Sequence, residues 1–143
     1  MIIRQMEPED VSQVAEIDKK TFSTPWSETA FRDTLKREDT LYLVAEEQGE
    51  ILGYCGLWQS FDEGEIPNVA VREEDRRRGV GQALLTELLL QGEKRGITAF
   101  TLEVRVGNKG AVSLYEKLGF RSAGIRPHFY VKPVEDAVIM WKK

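Results

Sequence analysis

Three arginines stand directly before a Gly-Val-Gly sequence in a chain whose formal net charge is −4. The stretch "RRRGVGQALL" starts at Arg76. Val80, Leu84 and Leu88 recur every four residues, which predicts a helix that begins beside the glycines. Free N–H groups in the first turn of a helix attract anions, and arginines add charge-assisted hydrogen bonds to phosphate oxygens. The segment therefore indicates a phosphate-binding loop. A solvated, charged turn that precedes a core helix is the alternative.

Two common nucleotide-binding motifs do not fit this segment. A P-loop requires G-x-x-x-x-G-K-[ST], and the chain contains no such string. A dinucleotide fingerprint requires Gly or Ala at its last position, where this chain has Leu84. What remains is the pattern Arg76-x-x-Gly79-x-Gly81, followed by a helix.

The chain has one cysteine and one histidine, and neither is predicted to carry the chemistry. Cys55 lies in a predicted strand without an evident histidine partner, so an acyl-cysteine mechanism is not expected. His128 is a lone histidine in a predicted loop, where such residues are more often structural than catalytic. No metal site is predicted.

Composition and length limit the function further. The chain has 143 residues, the size of a single domain, and 41% of them are hydrophobic. The acidic balance argues against direct nucleic-acid binding. One cysteine permits no intramolecular disulfide, which favours a reducing cytoplasm. The N-terminus does not resemble a signal peptide, and no apolar run approaches the length of about 20 residues that spans a membrane. We expect a cytoplasmic protein.

The periodicity predicts a mixed order of helices and strands. Strands are predicted over 1–6, 40–47, 51–60, 66–72 and 97–106, with a closing pair over 121–132 and 134–143. Helices are predicted over 8–22, 27–37 and 80–95, with a short one ending at Gly119, and Ser27 is the expected N-cap of the second. Residues 61–65 are predicted as a loop. Pro67 removes a ladder hydrogen bond, so it predicts a bulge or a local split in the sheet.

Two blocks of sequence resemble the GNAT acetyltransferase superfamily. The pattern Arg76-x-x-Gly79-x-Gly81, after "NVAV" and before a helix, resembles its acetyl-coenzyme A motif. "LEVRVGNKGAVSLYEKLGF" is similar to the block that follows. The resemblance implies a single α/β domain (mixed α+β) over residues 1–143. It implies a central, mostly antiparallel twisted sheet of about seven strands with a splayed parallel pair, flanked by about four helices.

A narrower resemblance adds "TPWSETAF" and "EDAVIM" to these blocks. Together the four segments look like the bacterial ribosomal-protein alanine N-acetyltransferases. This resemblance implies that acetyl-CoA is the donor and that the acceptor is the N-terminal alanine of a small-subunit ribosomal protein.

The superfamily resemblance implies which residues bind the coenzyme. The backbone of the "NVAV" strand holds the thioester and the pantetheine arm, and Asn108 hydrogen-bonds that arm. The phosphates bind the loop and the start of the helix. The implied residues are Val69, Ala70, Val71, Arg76, Arg77, Arg78, Gly79, Val80, Gly81, Gln82 and Asn108. Which arginine meets which phosphate stays open.

The resemblance also implies a catalytic pair. Glu103 in "LEVR" is the expected general base for an α-amino group, whose pKa is about 8. Tyr115 in "SLYEKLGF" is the expected general acid for the leaving thiolate. For Glu103 the alternative is an ion pair with an arginine such as Arg105, which alternation places on the same face of the strand. For Tyr115 the alternative is simple packing of its helix.

Three residues are expected to bind the acceptor: Trp26, Arg126 and Tyr130. Core packing is an equal alternative for Trp26. The chain departs from the resembled family at Phe129, where a second tyrosine is usual, and at Pro127, where a second arginine is usual. Two other functions stay open: acetylation of a different amine (lysine, a polyamine or an antibiotic), or coenzyme binding without catalysis.

Overall fold

The computed structural model describes residues 1–143 as one twisted sheet with helices on both faces. The strands are β1 Ile2–Gln5, β2 Thr40–Glu47, β3 Glu50–Ser60, β4 Glu63–Glu65, β5 Val69–Val71, β6 Ala99–Arg105, β7 Arg121–Val131 and β8 Val134–Lys142. The helices are α1 Val11–Thr21, α2 Glu28–Leu35, α3 Val80–Lys94 and α4 Lys109–Lys117. None of them has the length and apolar character needed to cross a membrane.

The order of strands across the sheet is β1-β2-β3-β4-β6-β8-β7, and β5 pairs with β3 alone. Every pairing is antiparallel except that of β4 with β6, which is parallel. The mixed α/β fold, the parallel pair and the four helices are as predicted. There are eight strands instead of about seven because the predicted strand over 66–72 is preceded by a separate strand.

The prediction of a loop over 61–65 was wrong, because β4 lies there. The sequence "EGE" has little intrinsic preference for a strand. Pairing on both sides overrides that preference, since β4 bonds to β3 and to β6. Elsewhere the predicted elements are confirmed to within a few residues. Ser27 caps α2, and its hydroxyl accepts the N–H of Ala30 at 3.1 Å.

Pro67 lies where the sheet divides, as predicted. The last bond across the parallel pair is from Ile66 N to Thr101 O at 2.9 Å. Pro67 has no N–H with which to continue the ladder. After Asn68 the chain resumes as β5, which pairs with β3 and leaves β6. A gap therefore opens between β5 and the second half of β6.

Side chains of alternate residues build two separate cores. Helices α3 and α4 cover one face of the sheet, called here the α3 face, with a cluster of 20 buried residues. Helices α1 and α2 cover the other, the α1 face, with a cluster of 10. The predicted apolar stripe of α3 is buried: Val80, Leu84, Leu85 and Leu88 are at most 2% exposed. Each such side chain contributes about 1.5–3 kcal/mol on burial.

A methyl group added at Gly56 tests how tightly the α1 face packs. Gly56 on β3 lies opposite Tyr42 on β2, and a Cβ there would overlap the buried Tyr42 ring. We expect Gly56→Ala to lower the free energy of unfolding by about 1–3 kcal/mol, measured by denaturant titration. The matched control is Gly110→Ala, because a Cβ at Gly110 meets open space. Equal stability of the two variants would contradict the close packing.

Candidate active site

The backbone of β5 offers free hydrogen-bonding groups to the gap. Just before β5, the carbonyl of Asn68 accepts a hydrogen bond from the β3 backbone at 3.0 Å. Just after it, the N–H of Arg72 donates to the β3 backbone at 2.8 Å. In an antiparallel ladder alternate residues face the partner strand. Ala70 therefore faces β3, whereas the backbone groups of Val69 and Val71 face the gap, where no strand pairs with them.

The three arginines before α3 have different surroundings. Arg76 Nε donates to Val71 O at 3.1 Å, beside the gap. Arg77 is exposed and has a left-handed backbone, with φ 68°. Arg78 is engaged elsewhere, because it binds Asp75 at 2.7 Å and Glu47 at 3.1 Å. Arg77 is thus the arginine whose charge is least used by the protein itself.

Asp75 holds the segment between β5 and α3 in place through two ion pairs. It is 5% exposed and binds Arg72 and Arg78, each at 2.7 Å. Burial raises the pKa of Asp75, but the hydrogen bonds from the two guanidinium groups outweigh burial and hold the pKa below its ordinary value. The carboxylate therefore stays charged at neutral pH and fixes the loop that leads into α3.

The N-terminus of α3 presents unpaired N–H groups beside these arginines. The first intrahelical bond is from Ala83 N to Gly79 O at 3.0 Å. The N–H groups of Val80, Gly81 and Gln82 therefore have no partner within the helix. Gly79 has φ 80°, a left-handed conformation that favours glycine. Gly81 has φ in the ordinary helical range, and a Cβ there would lie 3.5 Å from the nearest side-chain atom, which is ordinary contact. The protein alone does not require glycine at 81.

Glu103 projects from β6 onto the α1 face, with a carboxylate that is mostly enclosed. Its Oε2 atom is buried and accepts no hydrogen bond. The nearest cation is Arg126 on β7, with Nε 3.2 Å from Oε2, but the angle is too poor for a hydrogen bond. The alternative of an ion pair between Glu103 and an arginine is therefore present, but the arginine is Arg126. Arg105, the partner expected from alternation, pairs with Glu135 at 3.1 Å instead.

Arg105 fixes the end of the β7–β8 hairpin against β6. Its guanidinium lies 4.3 Å from the centre of the Tyr130 ring and donates to the carbonyls of Lys132 and Pro133. Glu135 binds Arg105 and also accepts the N–H of Gly107 at 2.7 Å. Burial raises the pKa of Tyr130, and the nearby Glu103 carboxylate raises it further. Tyr130 is thereby held beside Glu103.

Tyr115 belongs to α4 and approaches from the opposite face of the sheet. It is 8% exposed, and its ring meets Phe120 edge-on at 5.9 Å, so the packing alternative is also realised. Its hydroxyl makes no hydrogen bond to the protein. Burial raises the pKa of Tyr115, and Tyr130 adds to the rise. The phenol is therefore protonated at neutral pH. Tyr115 packs in the cluster of the α3 face, whereas Glu103 projects onto the α1 face.

Asn108 and Trp26 have structural contacts of their own. Asn108 Oδ1 caps α4 by accepting Ala111 N at 3.2 Å, which leaves its amide N–H groups without a protein partner. Trp26 lies between α1 and α2, and its ring centre is 5.3 Å from that of Phe31 and 6.3 Å from that of Trp58. Trp26 is only partly buried, so one part of its ring packs and another meets solvent.

The cysteine and the histidine are placed as structural residues. Cys55 is fully buried, and burial raises the pKa of its thiol. His128 lies in a bulge of β7, where its backbone N–H donates to Asp136 at 2.9 Å. A cavity of about 300 Å³ lies elsewhere, beside Met6 and Leu35, and none of the predicted site residues lines it. The predicted site residues therefore lie outside this cavity.

Sequence reasoning missed several polar residues around the gap. Glu135 falls in the quoted "EDA" block, yet its bond to Arg105 was not foreseen. The buried residues Asp18, Tyr42, Tyr54 and Asn68 were not assigned at all. Tyrosines on adjacent strands of the same face, at positions predicted to be buried, were the available signal, because buried hydroxyls require partners.

Comparison with known proteins identifies the family and the fold of this chain. The family model described as "Acetyltransferase (GNAT) family" matches residues 11–120. An Escherichia coli (strain K12) protein named "[Ribosomal protein bS18]-alanine N-acetyltransferase" is 35% identical over 140 residues, covering 96% of this chain and 94% of the relative. A Bacillus subtilis (strain 168) relative, whose name assigns the same activity provisionally, is 36% identical over 140 residues, covering 97% of this chain and 93% of the relative.

A solved structure matches over nearly the whole chain. It is the crystal structure of the ribosomal-protein-S18-alanine N-acetyltransferase from Escherichia coli, with a TM-score of 0.90 and 34% sequence identity. The match covers 99% of this chain and 92% of that one.

A methyl group at Gly81 separates ligand binding from folding. We expect Gly81→Ala to raise the Kd for acetyl-CoA at least about tenfold, because the methyl occupies space that a phosphate needs beside the helix N-terminus. The same variant should unfold at the same or a higher denaturant concentration, since alanine favours helix. Calorimetric titration and denaturant unfolding measure the two effects. Unchanged binding would show that the ligand does not approach Gly81.

Proposed function

The chain belongs to the GNAT acetyltransferase family, and on that premise we propose that it acetylates the N-terminal alanine of a small-subunit ribosomal protein. Acetyl-CoA-dependent N-acetylation follows from the family. The choice of acceptor is supported by relatives named for that activity, which match almost the full length of the chain. The observation that carries the chemistry is the Glu103 carboxylate, whose buried Oε2 lacks a hydrogen bond at the division of the sheet.

The donor is proposed to lie along β5. The gap-facing backbone groups of Val69 and Val71 would hold the pantetheine arm and the thioester. One backbone N–H aimed at the developing oxyanion is worth about 3 kcal/mol in comparable acyl-transfer sites. The free N–H groups at the start of α3 and the Arg77 guanidinium would bind the phosphates. In this proposal Arg78 contributes mainly by holding the loop through Asp75.

The acceptor is proposed to enter on the α1 face. Its α-ammonium would take the place of the Arg126 guanidinium beside Glu103, because both are cations that fit the same carboxylate. Glu103 then removes a proton, directly or through water, and the amine nitrogen becomes nucleophilic. With a pKa of about 8, an α-amino group gives up this proton more easily than a lysine, whose pKa is about 10.4. Trp26 and Tyr130 would border the peptide.

Transfer is proposed to proceed by direct attack. The amine nitrogen forms a bond to the acetyl carbon, and the bond from that carbon to sulfur breaks. Glu103 holds the first proton, taken from the ammonium, and later releases it to solvent. Tyr115 donates its hydroxyl proton to the departing thiolate, and the second amine proton restores the Tyr115 hydroxyl through water. A phenol with a raised pKa is fully protonated before the reaction and suits this role. Because ribosomal proteins are the proposed acceptors, we also propose that the protein acts in the cytoplasm.

Removal of the two proton-transfer groups tests the mechanism. We expect Glu103→Gln and Tyr115→Phe each to lower kcat about 100-fold or more, because each variant loses one proton transfer. Acetyl-CoA binding should persist in both. The matched control is Glu116→Gln, because Glu116 is an exposed acid on α4 one residue from Tyr115. Losses below twofold in both catalytic variants would refute the assigned roles.

The acceptor is tested by competition between amines. An Ala-initiated peptide with the N-terminal sequence of the ribosomal protein should be acetylated in preference to a lysine peptide with a blocked N-terminus and to spermine. Mass spectrometry of the products distinguishes them. Ribosomes from cells with and without this protein should differ by one acetyl group on that subunit. Acetylation of the small amines alone would replace the proposed acceptor with a different amine.

The pH profile tests the protonation state of Tyr115. We expect kcat/KM to fall as pH rises through the amine pKa of about 8, because the ammonium is the form that pairs with Glu103. The raised pKa of Tyr115 keeps its proton in place over this range, so Tyr115 should add no further fall up to about pH 10. A further descending limb between pH 8 and 10 that Tyr115→Phe abolishes would contradict the assignment.

A further inference from the structure

A series of buried polar groups lies on the α1 face beneath the gap. Trp58 Nε1 donates to the Tyr42 hydroxyl at 2.9 Å. The Tyr42 hydroxyl donates to Asn68 Oδ1 at 2.8 Å. Tyr42 and Asn68 are 2% and 6% exposed, so neither hydroxyl nor amide is free to exchange its partner for bulk water.

A second set of bonds continues from the same place toward α1. The Tyr54 hydroxyl donates to Asp18 Oδ1, and the backbone N–H of Trp26 donates to Asp18 Oδ2 at 2.8 Å. Tyr54 and Asp18 are at most 1% exposed. Burial and Asp18 raise the pKa of Tyr54. Tyr54 on β3 pairs with Ala70 on β5, and Asn68 lies two residues before Ala70 on the same face, so the Tyr54 and Asn68 side chains are diagonal neighbours. The two sets therefore lie side by side at Asn68.

One end of this hydrogen-bonded series lies beside the proposed donor site and the other beside the proposed acceptor site. Asn68 is the residue directly before β5, and the backbone of the next residue, Val69, faces the gap. At the other end, Asp18 holds the loop between α1 and α2. Phe22 N donates to Asp18 O at 2.9 Å as the last bond of α1. The Asp18 side chain therefore attaches the loop to α1 at Trp26 itself.

A buried carboxylate is a poor choice if stability alone is required. Apolar side chains of similar volume often stabilise a core as well or better, whereas a fully bonded polar network fixes one geometry. Here the geometry that is fixed is that of the α1–α2 loop relative to β5. The loop borders the proposed acceptor, and β5 borders the proposed donor.

We propose that Asp18 and Asn68 are positioning residues, which hold the α1–α2 loop in register with β5 so that the acceptor amine meets the thioester. The inference rests on the proposed function only in naming these two sides. Neither residue touches a reacting atom. Loss of Asp18 should displace the α1–α2 loop that borders the acceptor, while the contacts of acetyl-CoA with β5 stay in place.

The first experiment changes the loop end. In Asp18→Asn one carboxylate oxygen becomes an NH₂ group, so the side chain can no longer accept from both the Tyr54 hydroxyl and the Trp26 N–H. We expect KM for the Ala-initiated peptide to rise about tenfold, the effect of losing one hydrogen bond to a charged group, while KM for acetyl-CoA changes less than twofold. Tyr54→Phe, which removes one donor and keeps the shape of the ring, should give a smaller change in the same direction and guards against misfolding of Asp18→Asn.

The matched control removes a buried hydrogen bond from the same face outside the series. Thr40 is 7% exposed, and its hydroxyl donates to Thr34 O at 2.9 Å. Thr40→Val should lower Tm without changing the ratio of the two KM values. If Asp18→Asn raises both KM values equally, or changes only Tm as the control does, Asp18 is structural and the inference is overturned.

A double-mutant cycle tests whether the two ends act as a unit. We expect the kcat/KM of Asp18→Asn combined with Asn68→Ala to be no lower than that of the worse single variant, because either change breaks the same connection. Additive losses would overturn the inference. The wild-type amine comparison is done in parallel. If another amine proves to be the acceptor, the proposed function fails, and the KM ratio is then measured with that amine.

Discussion

The missing N–H of Pro67 is the constraint on which the rest of the site depends. Before it, β4 bonds to strands on both sides, and after it β5 bonds to β3 alone. Strand β3 pairs with both β4 and β5, so it continues unbroken past the point where the sheet divides. The division exposes backbone groups of β5 and, in the proposed mechanism, lets Glu103 and Tyr115 reach the thioester from opposite faces. A continuous strand would close that place.

Free backbone groups within a sheet are costly, so something must keep the gap from closing. The two cores do this from either side. The α3 face buries the leucines of α3 against the sheet, and the α1 face buries Tyr42, Tyr54 and Ala70 under α1 and α2. Asn68 adds a directional contact, because its side chain binds Tyr42 on β2 instead of anything on β6. Packing holds β5 to β3, and a coenzyme can then use the unpaired edge.

Sequence alone predicts the parts of this arrangement that depend on neighbours along the chain. Period and capping place α3 and Ser27, and the chemistry of proline places the split at Pro67. Contacts between distant segments were not predictable in the same way. Alternation put Arg105 on the face of Glu103, yet Arg105 reaches Glu135 and Arg126 crosses from β7 instead. Strand β7 contains a bulge between Arg126 and Tyr130, and no local sequence pattern predicts its geometry. The prediction of a loop at "EGE" was wrong for a related reason, since this segment becomes a strand by pairing with β3 and with the distant β6.

The same distinction separates recognition of donor and acceptor. In the proposed function the donor is bound mainly by backbone groups of β5 and α3, which one local motif positions. The acceptor is proposed to meet side chains from three separate segments: the α1–α2 loop, β6 and the β7–β8 hairpin. Arg126 beside Glu103 adds a selection by charge. An acceptor that carries an ammonium replaces one cation with another, so the carboxylate stays compensated. A neutral group would displace Arg126 and leave a largely enclosed charge alone, which is unfavourable. The ion pair of the free protein therefore favours a protonated amine on arrival, which Glu103 must then deprotonate.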